Sequence, residues 1–291
     1  MAIRSAQRPK LEPIGIGNDS FTTTFLLRRY IHIRTIFPAK FSNISIYHDT
    51  HLNKKVIVKE NNSPENYHMI INEINCLERL DHLNIIPLLD KYIDEDCQTA
   101  IIVLEYIESD DLFDFRQKNP HSFTENVIEK FIKELSDTIK YCHSQGVCHR
   151  DIKLENIMVV NCSGKIKFKL IDFGLSVISD TNEFNMNQQC GSPNYIPPEI
   201  LLAQKDCRYT EKCDIWNIGV VAYCLFYNMV PFWGKTDAMI KYNILHNDII
   251  FNDSVRIISD EMKDLISQFL CKKPFHRISI DDALKHPAIS Y

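Results

Sequence analysis

The hydrophobic pattern changes period part-way along the chain. From Tyr30, apolar and polar residues alternate in YIHIRTI, again in NISIY and again in KKVIVK, the two-residue repeat of strands with one buried face. A turn-prone DTHLN separates the last two runs and predicts a hairpin. Ser63-Pro64-Glu65 then supplies an N-cap hydroxyl, a proline at the first helical position and an acid in the first turn. A helix is expected to about Leu80, and on it Ile70, Glu73 and Leu77 fall three and four residues apart, which sets one carboxylate on an apolar face. AIIVLEY, Ala100 to Tyr106, reads as another strand, followed by the polar ESDD. Beyond it the period is helical. Thr124 opens a long amphipathic helix with Val127, Phe131, Leu135 and Ile139 on one face, and Gly146 is placed to end it. A segment from about Asp214 to Tyr227 is apolar enough for a buried helix, and shorter helices follow. Strands first and helices after, without repeats or low-complexity linkers, predict an α+β, bilobal protein. Residues 1–29, with Pro9 and Pro13, read as an N-terminal extension, 30–106 as a small β-rich lobe with one key helix, and 107–291 as a larger α-helical lobe. The cleft between the lobes is the expected site.

Composition narrows the class without naming a chemistry. At 291 residues, 45% hydrophobic and 24% charged, the chain has material for a sizeable core. A net charge of −5 and basic residues scattered singly or in pairs argue against a nucleic-acid partner. The ten cysteines form no CxxC pair and no spacing suited to a zinc ligand set, so they read as small buried hydrophobes in a reducing compartment. The N-terminus MAIRSAQRPK lacks an apolar signal core, and the longest apolar run, Ile218 to Tyr227, is about half a membrane span. A soluble cytoplasmic protein is expected, with the nucleus left open and no membrane partner.

The chemistry is carried by motifs. HRDIKLEN, His149 to Asn156, is followed by DFG at Asp172 to Gly174 and then by PPE at Pro197 to Glu199. On these strings the chain, from about Tyr30 to its end, resembles the eukaryotic protein-kinase family. Phosphoryl transfer asks for charge neutralisation and in-line positioning more than covalent help. The resemblance implies that Asp151 accepts or orients the substrate hydroxyl proton, that Asn156 and Asp172 hold Mg²⁺, and that Lys59 in VIVK grips the α/β-phosphates of ATP while pairing with Glu73. Glu73 stands 14 residues after Lys59 and nine before His82 in LDHLNII, which looks like the family's post-helix turn. Lys153 resembles the lysine that contacts the transferred phosphate in serine/threonine kinases, and Ser192 the hydroxyl that bonds the catalytic aspartate and lysine. Asp214 resembles the aspartate that anchors the catalytic loop, Glu199 is expected to pair with Arg277, and Leu77, Leu88, His149 and Phe173 fall on the family's hydrophobic spine. LSVISD and CGSPNY look most like the calcium/calmodulin-dependent and AMP-activated group.

The nucleotide site implied by the resemblance comprises Phe37, Ala39, Lys40, Ser42, Ile44, Ile57, Lys59, Glu105, Ile107, Asp111 and Met158. Here the sequence departs from the family. Counted back from Lys59 without gaps, the glycine-rich loop falls on FPAKFS, Phe37 to Ser42, which has no glycine, and Pro38 has no N–H to offer a phosphate. A rival register places the loop at GIGNDSFTTTF from Gly15, at the cost of an insertion of roughly twenty residues between strands, and a lone G-x-G is a weak signal. The gap-free register is preferred. Ile57 replaces the usual alanine that packs on adenine. In the activation segment, Gln188 and Gln189 stand where the related group carries a phosphorylated threonine, leaving Arg150 with no evident partner and Thr181 and Ser179 as offset candidates. Asp111 and Glu155 match positions where basophilic kinases read an upstream arginine or lysine, the alternative being that Asp111 bonds the ribose and Glu155 is merely solvated. The expected function is transfer of the γ-phosphoryl of Mg-ATP to serine or threonine hydroxyls of protein substrates, with a regulatory partner left open. The rival is a pseudokinase acting as a binding or scaffold module, motivated by the lost glycines, Ile57 and the missing phosphosite. A small-molecule kinase is disfavoured by PPE and the Ser192 segment, which form a peptide-docking platform.

Overall fold

A computed structural model of the chain describes residues 29–38, 42–162, 165–181, 183–184, 186–202 and 209–290. The alternating runs become an antiparallel five-stranded sheet in the order β1-β2-β3-β5-β4. Its strands are β1 (Tyr30–Pro38), β2 (Ser42–Asp49), β3 (Lys54–Asn61), β4 (Leu88–Asp94) and β5 (Thr99–Glu105). The alternation has a direct consequence on β3. Val56 and Val58 turn to an outer cluster with Tyr30, Ile101 and Val103, while Ile57 packs on the main core on the opposite face, the face to which the two-residue period also assigns Lys59. Arg29 closes the outer edge, bonding Asp49 at 2.8 Å and Asp90 at 2.9 Å, and Tyr30 donates its hydroxyl to Asp90 at 2.8 Å.

Helix α1 (Tyr67–Arg79) packs on the inner face of this sheet with Ile70, Glu73, Ile74, Cys76 and Leu77 buried. Its start differs from expectation. Ser63 does not cap it through its hydroxyl; Pro64–Asn66 first makes a single 3-10 turn, and the α-helix opens at Tyr67. Proline suits that first turn because its missing N–H has no helical acceptor there.

The remainder is mainly helical: α2 (Leu112–Lys118), α3 (Glu125–Ser144), α4 (Pro198–Leu201), α5 (Lys212–Tyr227), α6 (Asp237–His246), α7 (Asp260–Phe269) and α8 (Ile280–Ala283). Helix α5 is buried along its whole length after Lys212 and forms the axis of the helical part. Gly219 is needed there, since a Cβ at this position would sit 2.7 Å from the Cβ of Phe269 on α7. On α3 the buried stripe runs through Ile128, Phe131, Leu135 and Ile139, so Val127 is only partly buried and the predicted face was one residue off at its start. Gly146 ends that helix region at φ 72°, where L-residues are strained.

Four short strands inside the helical part go beyond the sequence expectation, although KIKFKL does alternate: β6 (Val147–Cys148) pairs with β9 (Val177–Ile178), and β7 (Ile157–Cys162) with β8 (Lys165–Leu170). A two-residue strand is too short to show a period, yet the β6–β9 pairing brings together the two ends of the stretch that carries the HRD and DFG strings. Among the described residues no helix is long and apolar enough to cross a membrane. Cys76, Cys142, Cys148, Cys213 and Cys224 are buried.

Candidate active site

The HRD string lies between β6 and β7, and its backbone is pinned from below by α5. Asp214, in the first turn of that helix and fully buried, accepts the N–H of His149 at 2.9 Å and of Arg150 at 2.7 Å, and takes a third bond from His143 Nε2 at 2.8 Å. Burial pushes the Asp214 carboxyl up, but the His143 contact and the backbone donors win and hold it below the usual carboxylate range. Arg150 at φ 68° and Asp172 at φ 64° both occupy the left-handed region, a strained conformation found where surrounding contacts over-determine the chain.

Asp151 is 4% exposed and its carboxylate is crowded with donors. Lys153 Nζ reaches Oδ2 at 2.7 Å, Ser192 donates both its N–H and its hydroxyl to Oδ1 at 3.0 Å, and Asn156 Nδ2 reaches Oδ2 at 3.1 Å. Lys153 also bonds Ser192 Oγ at 2.8 Å, which closes the triangle of aspartate, lysine and serine. Gly191, at φ 105°, lets the chain turn into this contact, and a Cβ there would press on the Arg150 carbonyl at 3.3 Å.

Across the cleft, Lys59 Nζ lies 2.7 Å from Glu73 Oε2 and 2.9 Å from Asp172 Oδ1. Burial pulls the Lys59 ammonium toward losing its proton, but the two carboxylates overrule it and hold its pKa above the ordinary lysine value. Lys59 in turn lowers the Asp172 carboxyl to about 2. Glu73, only 1% exposed, is pushed up by burial even against Lys59. Phe173 seals the floor, its ring centroid 4.7 Å from that of His149, with Leu77 and Leu88 in the same core.

Lys59, Glu73, Asp151, Lys153, Asp172 and Ser192 line one cavity of about 310 Å³ together with Ser42, Ile44, Met69 and Leu175. Sequence-predicted residues Lys59, Glu73, Asp151, Lys153, Asp172 and Ser192 are therefore brought together. Glu105 and Ile107 line a second cavity of about 260 Å³ with Val160 and Lys169, and Ile57 packs against the main core with Leu104 as its cross-strand partner. Asp111 caps α2, accepting the Asp114 N–H at 2.8 Å, and forms a bridge to Met158. Ala39 and Lys40 lie outside the described residues, as do Gly15 and Gly17; the backbone of Phe37 and Pro38 ends β1, with Pro38 opposite Asn43. Glu155 is exposed.

One expectation is corrected. Arg150 does have partners: it donates to the Leu175 carbonyl at 2.6 Å, to the Tyr209 hydroxyl at 3.0 Å and to Gln188 Oε1 at 3.5 Å, while Tyr209 donates onward to the Gln188 carbonyl at 2.7 Å. Neutral oxygens surround the guanidinium in place of a phosphate. Nothing in the spacing of Tyr209 links it to the HRD string. The expected Glu199–Arg277 pair is present, bidentate at 2.7 and 2.9 Å.

Asp172 and Asn156 suit a hard divalent cation. Asp172 is ionised at neutral pH, with 44% of its side chain exposed, and the Asn156 NH₂ is turned to the Asp151 carbonyl and carboxylate, which leaves the amide oxygen for a metal. A separate trio of His143, Cys148 and Asp214 lies within ligating reach. It does not suit a metal: the Asp214 oxygens are already hydrogen-bonded, and burial keeps the Cys148 thiol protonated by raising its pKa well above the ordinary value.

A family model described as a protein kinase domain matches residues 41–289. The chain is 32% identical over 276 residues to a calcium/calmodulin-dependent protein kinase type 1 of Caenorhabditis briggsae, covering 94% of this chain and 71% of that one. Its likeness to the type 1 kinase of Macrobrachium nipponense is 37% over 220 residues, covering 75% and 61%, and to calcium-dependent protein kinase 4 of Arabidopsis thaliana 37% over 227 residues, covering 77% and 44%. The matched region thus spans between 44% and 71% of these three relatives' lengths. Family match, relatives and bilobal fold agree with the site geometry: the chain belongs to the protein kinase family, in the serine/threonine group of the calcium/calmodulin-dependent and calcium-dependent kinases.

Proposed function

We propose that this protein transfers the γ-phosphoryl of Mg-ATP to serine or threonine hydroxyls of protein substrates. The observation that carries the reading is the convergence on one cavity of two assemblies, Asp151–Lys153–Ser192 and Lys59–Glu73–Asp172. Asp151 takes or orients the acceptor's hydroxyl proton; the hydroxyl oxygen forms the new bond to the γ-phosphorus as the bond to the β–γ bridging oxygen breaks, and ADP departs with that electron pair. Lys153, 2.7 Å from Asp151, is poised to neutralise charge on the transferred group, and Lys59 to grip the α/β-phosphates. Asp172 and Asn156 would hold magnesium, which supplies charge neutralisation on the phosphates. On the preferred register the sequence Phe37 to Ser42 would serve as the phosphate loop, and the exposed Glu155, with the part of Asp111 not used in capping, favours a basic residue upstream of the acceptor. A cytoplasmic location, with the nucleus left open, is supported by the cysteine usage and by the lack of a long apolar run.

Radiolabelled ATP incorporation into generic protein substrates tests the reading. Lys59→Met, Asp151→Asn and Asp172→Ala should each lower it by about 10²-fold or more, because positioning and electrostatics carry this catalysis. Unchanged incorporation in Asp172→Ala would overturn the metal assignment. Wild-type protein that binds partners but incorporates no label would establish the pseudokinase instead.

A further inference from the structure

One residue before Glu73, Asn72 projects from α1 toward the segment that follows Asp172. Its Nδ2 lies 2.8 Å from the Ser176 carbonyl oxygen, 3.3 Å from that of Gly174 and 3.4 Å from that of Phe173. The first distance is a full hydrogen bond and the others are long, so three carbonyls converge on one amide donor. Seven residues on, Arg79 bonds Asp180 at 2.6 Å. Residues seven apart lie two turns along one helical face, so α1 is fastened twice to the same stretch, 173–180. The two fastenings differ in worth. Arg79 and Asp180 are 38% and 84% exposed, and an ion pair that wet contributes little. Asn72 is half-buried and its acceptors belong to the backbone immediately beside the Asp172 carboxylate that binds Lys59.

We propose that Asn72 is a positioning residue: by holding the Phe173–Ser176 backbone it keeps α1 seated so that Glu73 meets Lys59, and Lys59 meets the ATP phosphates. The proposal rests on the role given above to Lys59, Glu73 and Asp172. Loss of the donor lets α1 and the segment separate. That raises the KM for ATP and lowers kcat while leaving the KM for peptide unchanged, since the Asp151–Lys153–Ser192 assembly does not involve α1.

The experiment compares Asn72→Leu and Asn72→Asp with wild type. Both are close to isosteric with asparagine, and a bond of this kind typically shifts an equilibrium about two- to tenfold. Asn72→Leu should raise the KM for ATP by that factor, and Asn72→Asp by more, because its carboxylate would face three carbonyl oxygens. In nucleotide-free protein, amide hydrogen exchange should quicken in residues 67–79 and 173–180 and stay unchanged in Lys212–Tyr227. The proposal is overturned if the aspartate variant is the milder, if the KM for ATP and the local exchange are those of wild type, or if exchange rises everywhere alike. Exchange is read without activity, so a failure of the kinase reading, seen as full activity in Lys59→Met, remains distinct from a failure of this one.

Discussion

Arg277 offers the sharpest stability test. Its side chain is fully buried and holds four contacts: both oxygens of Glu199 at 2.7 and 2.9 Å, the Lys212 carbonyl at 2.7 Å and the Cys271 carbonyl at 3.0 Å. Its guanidinium also lies over Trp216, 5.1 Å from the ring centroid. Arg277→Met keeps much of the volume but strands the Glu199 carboxylate, only 10% exposed, without a counter-charge. Removing one member of such a pair costs about 3–5 kcal/mol, the greater part of it the penalty of the remaining charge. Against a total stability of about 5–15 kcal/mol that is a large fraction, and at about 2–4 °C per kcal/mol it lowers the melting temperature by roughly 10 °C. Thermal unfolding followed by tryptophan fluorescence reads it directly, since Trp216 and Trp233 are the two tryptophans in the chain. The double variant Glu199→Gln, Arg277→Met removes both charges, so it should recover much of the loss and show coupling of about 2 kcal/mol or more. A drop below about 1 kcal/mol in the single variant, or simple additivity in the double, would refute the reasoning that the pair fastens α4 to the base of α5.

Three further outcomes are expected. Placing glycine at Phe37, Ala39 and Ser42 together with Ile57→Ala should lower the KM for ATP by letting backbone N–H groups approach the phosphates more closely and by making room for adenine; a strong rise from Gly15→Ala and Gly17→Ala, with no effect of the first set, would move the phosphate loop to the N-terminal register. Protein made in bacteria and treated with phosphatase should remain active, because Arg150 is held by Tyr209, Gln188 and Leu175, and an obligatory mark mapped to Ser179 or Thr181 would contradict this. In an oriented peptide library Glu155→Ala should relax selection for arginine or lysine upstream of the acceptor more than it slows turnover on neutral peptides, and a wild-type preference for acidic residues or proline beside the acceptor would reject that role.

What could be read in the sequence was whatever depends on one side chain at a fixed position in a motif. Asp151, Lys59, Asp172 and Ser192 are in that class: each must present a particular charge or hydroxyl at one point, and the short loops around them leave little freedom in where the residue falls. The pattern of α5 was equally legible, because a helix buried on all sides is apolar on all sides. The start of α3 was not, since Val127 and Ile128 are both apolar and only packing decides which one faces inward.

Arg150 shows the harder limit. Gln188 stands where the related group carries a phosphorylated threonine, and no sequence spacing points to another acceptor for the cation. The fold instead returns Tyr209, which is 59 residues away, through a single bridge that pairs it with Met186, so that its hydroxyl accepts from Arg150 and donates to the Gln188 carbonyl. A buried guanidinium needs acceptors of any kind, charged or neutral. Carbonyl, amide and phenol oxygens satisfy that need without a switchable charge. The same economy holds on the other side of the segment, where Asn72 meets carbonyls rather than a charged group. At Arg150 and at Asn72 the segment thus offers neutral acceptors to donors that do not titrate near neutral pH, and these two contacts persist through changes of salt that would loosen an exposed ion pair such as Arg79–Asp180.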